Sequence, residues 1–86
     1  MDSYNIIKYP LSTEKSIRLM ETENQLIFIV NKKATKKEIK KAIEDMFKVE
    51  VDDVNTFIDP DGGKRAYVKF SAKNPAIDIA TQMGLM

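Results

Sequence analysis

The stretch from Gln25 to Phe47, QLIFIVNKKATKKEIKKAIEDMF, decides the fold, because it holds a strand and a helix joined by a few residues. In Gln25–Asn31, Leu26, Phe28 and Val30 fall on one face and Ile27 and Ile29 on the other. A strand apolar on both faces is expected in the interior of a sheet, covered on both sides. The period then changes. Thr35 followed three residues later by Glu38 is a capping-box signature for a helix start. Ile39, Ala42, Ile43, Met46 and Phe47 recur at the spacing of one amphipathic stripe. A helix therefore runs from Thr35 to about Phe47.

The same helix carries the chain's densest charge. Lys32, Lys33, Lys36, Lys37, Lys40 and Lys41 crowd its start against Glu38 alone, in a chain whose net charge is +1. At roughly 100° per residue, Lys36, Lys37, Lys40, Lys41 and Lys48 fall on one flank of the apolar stripe, and Glu38 and Asp45 on the other. Glu44 stands at i+4 from Lys40 and i+3 from Lys41, where it can neutralise part of the flank. A solvated helix face would account for scattered lysines. Lysines massed on one flank point further, to a polyanionic partner, because like charges repel until a counter-charge arrives. Beyond Lys41, from Ala42 to Gly63, the sign reverses: Glu44, Asp45, Glu50, Asp52, Asp53, Asp59 and Asp61 face only Lys48.

Upstream, Ile6 to Pro10 reads as a short strand closed by proline. Ser12 or Thr13 caps a helix to about Thr22, with Glu14 in the first turn, where the helix dipole favours an anion. Its apolar side is thin, formed by Ile17, Leu19 and Met20. Downstream, Val49 and Val51 share one parity and Val54, Thr56 and Ile58 the other, so a bulge or turn is expected near Asp52-Asp53. Asp59-Pro60-Asp61-Gly62-Gly63 is a hairpin loop. It matches a fragment of a calcium loop, but the remaining ligand positions are missing. The return strand Arg65 to Phe70 alternates, with Ala66, Val68 and Phe70 inward and Arg65, Tyr67 and Lys69 outward. Asn74-Pro75 reads as the cap and first turn of a last helix, Pro75 to Met83, with Gly84 as its C-terminal cap.

The order β-α-β-α-β-β-α defines the expected fold class: α/β (α+β), a small single-domain sandwich over residues 1–86, with helices packed on a mostly antiparallel four-stranded sheet. The chain has 86 residues and neither cysteine nor histidine. That composition argues against disulfides, zinc sites and cofactors, and against nucleophilic or acid–base catalysis. The longest apolar run, Leu26 to Val30, is far short of a membrane span. The start of the chain lacks a signal-peptide pattern. A soluble, cytoplasmic, non-enzymatic domain is the expectation. Arg65, Tyr67 and Lys69 interleave an aromatic ring with cations on one strand face, an arrangement suited to stacking a base and holding phosphates. Asn55 and Thr56 are polar strand residues beside it.

The chain resembles the ribosomal protein L23 family of the large subunit, in its compact archaeal type. Tyr9-Pro10-Leu11-Ser12-Thr13-Glu14-Lys15-Ser16 carries the resemblance at the front. Ala34 to Glu44, and Val49-Glu50-Val51 with Val54-Asn55-Thr56, carry it in the middle, and Lys64-Arg65-Ala66-Tyr67-Val68-Lys69 in the signature strand. Phe70 stands where the family usually has leucine, and the hairpin is acidic where many relatives are basic. The loop is also shorter than the extension that bacterial members send into the exit tunnel.

The resemblance implies a structural protein bound to large-subunit ribosomal RNA beside the polypeptide exit, among neighbouring large-subunit proteins and in the cytoplasm. Signal recognition particle and the translocation channel would be transient partners, with no membrane insertion. The RNA-binding residues then expected are Lys8, Tyr9, Lys15, Lys32, Lys33, Lys36, Lys37, Lys40, Lys41, Asn55, Thr56, Lys64, Arg65, Tyr67 and Lys69, with Glu14 docking factors. Two other readings stay open on the residues alone. One is a free-standing RNA-binding module; the other is an adaptor using the acidic 44–61 region on a basic partner.

Overall fold

A computed structural model describes residues 6–60 and 63–83. Within them the order is β1 (Ile7–Pro10), α1 (Glu14–Glu23), β2 (Gln25–Val30), α2 (Lys36–Phe47), β3 (Val51–Ile58), β4 (Lys64–Phe70) and α3 (Ala76–Gln82). The strands form one antiparallel sheet in the order β1-β2-β4-β3. The expected fold class and element order are those observed. Asp61, Gly62 and Gly84 lie outside the described residues, so the tip of the hairpin and the expected glycine cap do too.

Each helix start has a chemical cause. At α2, Thr35 Oγ1 accepts from the Glu38 backbone N–H at 3.2 Å, and Glu38 Oε1 accepts from the Thr35 backbone N–H at 3.1 Å. These hydrogen bonds to Thr35 hold the Glu38 carboxyl below its ordinary pKa, because they favour the ionised form. At α1, Thr13 is the cap and Ser16 its reciprocal partner, accepting from the Thr13 N–H at 2.7 Å. Both helices end on left-handed residues that are not glycine, Asn24 (φ 55) and Lys48 (φ 56).

All three helices pack on one side of the sheet. Met20 of α1, Ile39, Ala42 and Ile43 of α2, and Ala76, Ile79 and Ala80 of α3 share one core with Leu26, Phe28, Val30, Val51, Val54, Ala66, Val68 and Phe70. The inward set on β4 is thus Ala66, Val68 and Phe70, as the alternation required. The bulge is also where the parity conflict placed it: Val51 pairs with Phe70 and Asp53 with Lys69, leaving Asp52 as the extra residue. That one insertion lets Val51 and Val54 both face the core.

Four expectations need correction. Strand β2 is interior, but helices cover only its Leu26–Phe28–Val30 face. Ile27 is 1% exposed on the other face without joining the helical core, and Ile29 is half-buried there. Ile17 is exposed rather than packed, and Ser16 and Met20 are the buried positions of α1. Glu44 does not pair with Lys40 or Lys41; its Oε2 accepts from the Val51 N–H at 3.1 Å and so secures the strand at the bulge. Asn74 does not cap α3. Its Oδ1 accepts from the Glu50 N–H at 2.9 Å, and the first N–H of α3, Ala76, is bound instead by Asn24 Oδ1 at 2.6 Å.

Candidate nucleic-acid interface

The sheet face that carries no helix is read directly from the strand register. One row across it runs Tyr9, Ile29, Arg65, Phe57; the next holds Ile27, Tyr67 and Asn55; a third holds Gln25, Lys69 and Asp53. Because side chains alternate along a strand, these positions share one face and the core residues the other. The Phe57 and Tyr67 rings meet edge to face, with centroids 5.2 Å apart and planes at 79°. Lys15, from the first turn of α1, reaches over the rim and places Nζ 5.8 Å from the Tyr67 ring centre, within cation–π range.

Electrostatics on this face are mixed. Arg65 Nε donates to Asp59 Oδ2 at 3.0 Å, the one ion pair among the described residues. The hydrogen bond and charge of Asp59 raise the Arg65 pKa above its ordinary value, so the guanidinium stays charged. Lys69 and Lys15 are exposed.

A second surface lies in the helical layer. Lys32, Lys33, Lys36, Lys37, Lys40 and Lys41 are all exposed, as is Lys48 at the end of α2. The first turns of α2 overhang the β3 edge, where Lys36, Lys37 and Lys40 line a shallow groove with Asp52, Asp53 and Val54. The acidic bulge therefore stands beside the lysine flank and tempers it.

The expected RNA-binding set divides accordingly. Tyr9, Lys15, Asn55, Arg65, Tyr67 and Lys69 come together on or at the rim of the open sheet face. The six lysines around the start of α2 form the other surface. Three residues join neither. Thr56 pairs with Ala66 and is half-buried on the core side, so it does not share a face with Asn55. Lys64 turns toward the helices and donates Nζ–H to the Ala34 carbonyl at 2.6 Å. Lys8 is exposed at an irregularity of β1, between Ile7 paired with Val30 and Tyr9 paired with Ile29. Glu14 is exposed beside Lys15 at the start of α1.

Sequence reading missed Phe57, 57% exposed on this face, and Gln25. A signal for Phe57 existed: beyond the bulge its parity opposes Val54, Thr56 and Ile58, which puts an aromatic side chain on the face without helices.

A small α+β domain with one basic helix flank and one open aromatic–cationic sheet face is the class these observations define. Comparison with known proteins narrows it. The family model for ribosomal protein L23 matches residues 5–80. The large ribosomal subunit protein uL23 of Methanococcus aeolicus is 44% identical over 85 residues, which are 99% of each chain. The protein of the same name from Trypanosoma brucei brucei is 48% identical over 85 residues, 99% of this chain and 52% of the relative. The chain thus spans about half the length of that relative and nearly all of the archaeal one. It belongs to the ribosomal protein L23 family, a family of large-subunit structural proteins and not of enzymes. Among the described residues no helix is long and apolar enough to cross a membrane.

Proposed function

We propose that the chain is a structural constituent of the large ribosomal subunit that binds its ribosomal RNA near the polypeptide exit tunnel and helps to dock nascent-chain factors. The single observation that carries RNA binding is the helix-free sheet face, where Lys15, Arg65 and Lys69 surround Tyr67. A half-buried aromatic ring flanked by cations gives a base something to stack on and its phosphates something to meet. The lysine flank of α2 supplies the long-range attraction. Kinship to the L23 family supports the ribosomal setting, with neighbouring large-subunit proteins as permanent partners and a cytoplasmic location on the ribosome. It also supports signal recognition particle and the translocation channel as transient partners.

The test is binding of the purified chain to large-subunit ribosomal RNA across a range of salt concentrations. Replacing Lys36, Lys37, Lys40 and Lys41 together by Gln should weaken binding and flatten the log–log salt dependence by roughly 0.7–0.9 for each phosphate no longer neutralised. An unchanged slope means that the flank is solvated in the complex. Failure of the native chain to sediment with large subunits, while other RNA is retained, returns the reading to a free-standing RNA-binding module.

Glu14 belongs to the docking part of the proposal. RNA phosphates repel its exposed carboxylate, whereas a basic protein factor attracts it. Glu14→Ala should assemble into large subunits as the native chain does, yet recruit less purified signal recognition particle in co-sedimentation at matched salt. Equal recruitment leaves Glu14 only its place at the positive end of α1.

A further inference from the structure

We infer that the concavity bounded by Lys15, Gln25, Asn55, Phe57 and Tyr67 is a subsite for a single unpaired RNA base, an inference that rests on the RNA-binding reading above. The hollow measures about 380 Å³, within the range of about 300–1,000 Å³ usual for small-ligand sites. Its walls decide the ligand. The Phe57 and Tyr67 rings stand at 79° to one another, so they form a corner and not a flat platform. Coplanar rings would accept successive stacked bases. A corner accepts one, stacked on one ring with its edge against the other.

The polar groups fit the edge of that base. Gln25 and Asn55 each carry an amide, with donor and acceptor side by side, matching the mixed donor and acceptor edges of nucleobases. The Asn55 amide meets Asp53 Oδ2 at 3.5 Å, long enough to exchange at little cost. Charge sets the polarity. Asp53 lies beyond Asn55 on the β3 side, where its cross-strand neighbour Lys69 offsets its charge, while Lys15 lies over the Tyr67 ring and supplies the cation of the site. Lys15 is exposed and held by the Tyr67 ring, so an arriving base takes the ring and Lys15 turns to that nucleotide's phosphate. A duplex keeps its bases stacked inside and cannot fill the corner; an extruded or single-stranded base can.

The experiment titrates the whole chain into an RNA hexamer carrying one 2-aminopurine, either single-stranded or annealed to its complement. Fluorescence should be quenched in the single strand and unchanged in the duplex. Phe57→Ala should weaken the single-strand response about 5- to 150-fold, the range expected for one stacked base, with its thermal unfolding midpoint unchanged. Asn55→Ala should weaken it less. Lys15→Gln should keep the quench and lower the log–log salt slope by about 0.7, one phosphate on a single strand. An equal response from the duplex, no response from the single strand, or full binding by Phe57→Ala overturns the subsite. Large-subunit ribosomal RNA is titrated in parallel. Salt-sensitive binding there without a hexamer response sinks the subsite and leaves the RNA-binding reading standing; loss of both sinks both.

Discussion

Phe70→Ala is expected to destabilise the domain by about 3–5 kcal/mol, measured as a shift in urea unfolding. Phe70 is 1% exposed and is among the largest side chains of the core, pairing across the bulge with Val51 and lying alongside Val68 and Ala66 on the inner face. Its removal leaves a cavity between the sheet and the helices that pack on it. A domain of this size holds only about 5–15 kcal/mol in total, so the variant should be partly unfolded on mild warming. Three residues earlier on the same strand, Tyr67→Ala should do the opposite. Unfolding should be nearly unchanged, while RNA affinity falls by about 1–3 kcal/mol, the worth of one stacked base. A Tyr67→Ala chain that unfolds would make the open face a structural element and not a binding one.

Asn24→Ala should cost about 3–4 kcal/mol, a large effect for a half-buried polar residue. Asn24 Nδ2 lies 3.1 Å from the Phe70 carbonyl, 3.2 Å from that of Ser71 and 3.3 Å from that of Asn74. Its Oδ1 takes the Ala76 N–H, and its own carbonyl takes the Phe70 N–H at 3.1 Å. One residue thus closes α1 with its main chain, and with its side chain tethers the end of β4 and opens α3. The backbone there is left-handed, a conformation asparagine tolerates better than alanine. Asn24→Gly should therefore lose less than Asn24→Ala by about 1 kcal/mol. Asn24→Asp should lose at least as much as alanine, because a carboxylate would face three carbonyl oxygens. If glycine and alanine prove equal, the backbone conformation contributes nothing and the hydrogen bonds carry the whole effect.

Local rules and tertiary partnerships divide what the sequence made legible. The Thr35–Glu38 capping box, the two faces of β4 and the bulge beside Asp53 all follow from residues within a turn or a strand of one another. The bulge is the strongest case, since Val51 and Val54, at opposite parity, cannot both reach one core without an inserted residue. The cap of α3 was illegible for a physical reason. Asn74-Pro75 has the right local chemistry, but Asn74 is engaged by Glu50, and a residue 52 positions away from Ala76 does its work. Glu44 and Lys64 follow the same pattern. Charge points the first to its lysine neighbours and the resemblance points the second to RNA, yet each satisfies a backbone group brought near by folding. For the candidate site, alternation was enough to bring Arg65, Tyr67 and Lys69 together. It could not reveal that Lys15 joins them from another element. The same alternation separates Thr56 from Asn55, its neighbour in the chain, although the resemblance grouped the two.

The Asp52 insertion has a consequence outside the folded molecule. Strand β3 is an edge of the sheet, and an edge is a template on which another chain can add a strand. Its exposed Phe57 and Ile58 would make that addition favourable. The bulge breaks the regular spacing of backbone donors along the free side, and the exposed carboxylates of Asp52 and Asp53 repel the same pair on a second copy. At the opposite edge, β1 is four residues long and ends in Pro10, which has no N–H to offer. Both borders of the sheet thus carry features that oppose strand addition. The chain is therefore expected to stay unassociated in concentrated solution, even though it carries aromatic and aliphatic side chains in the open.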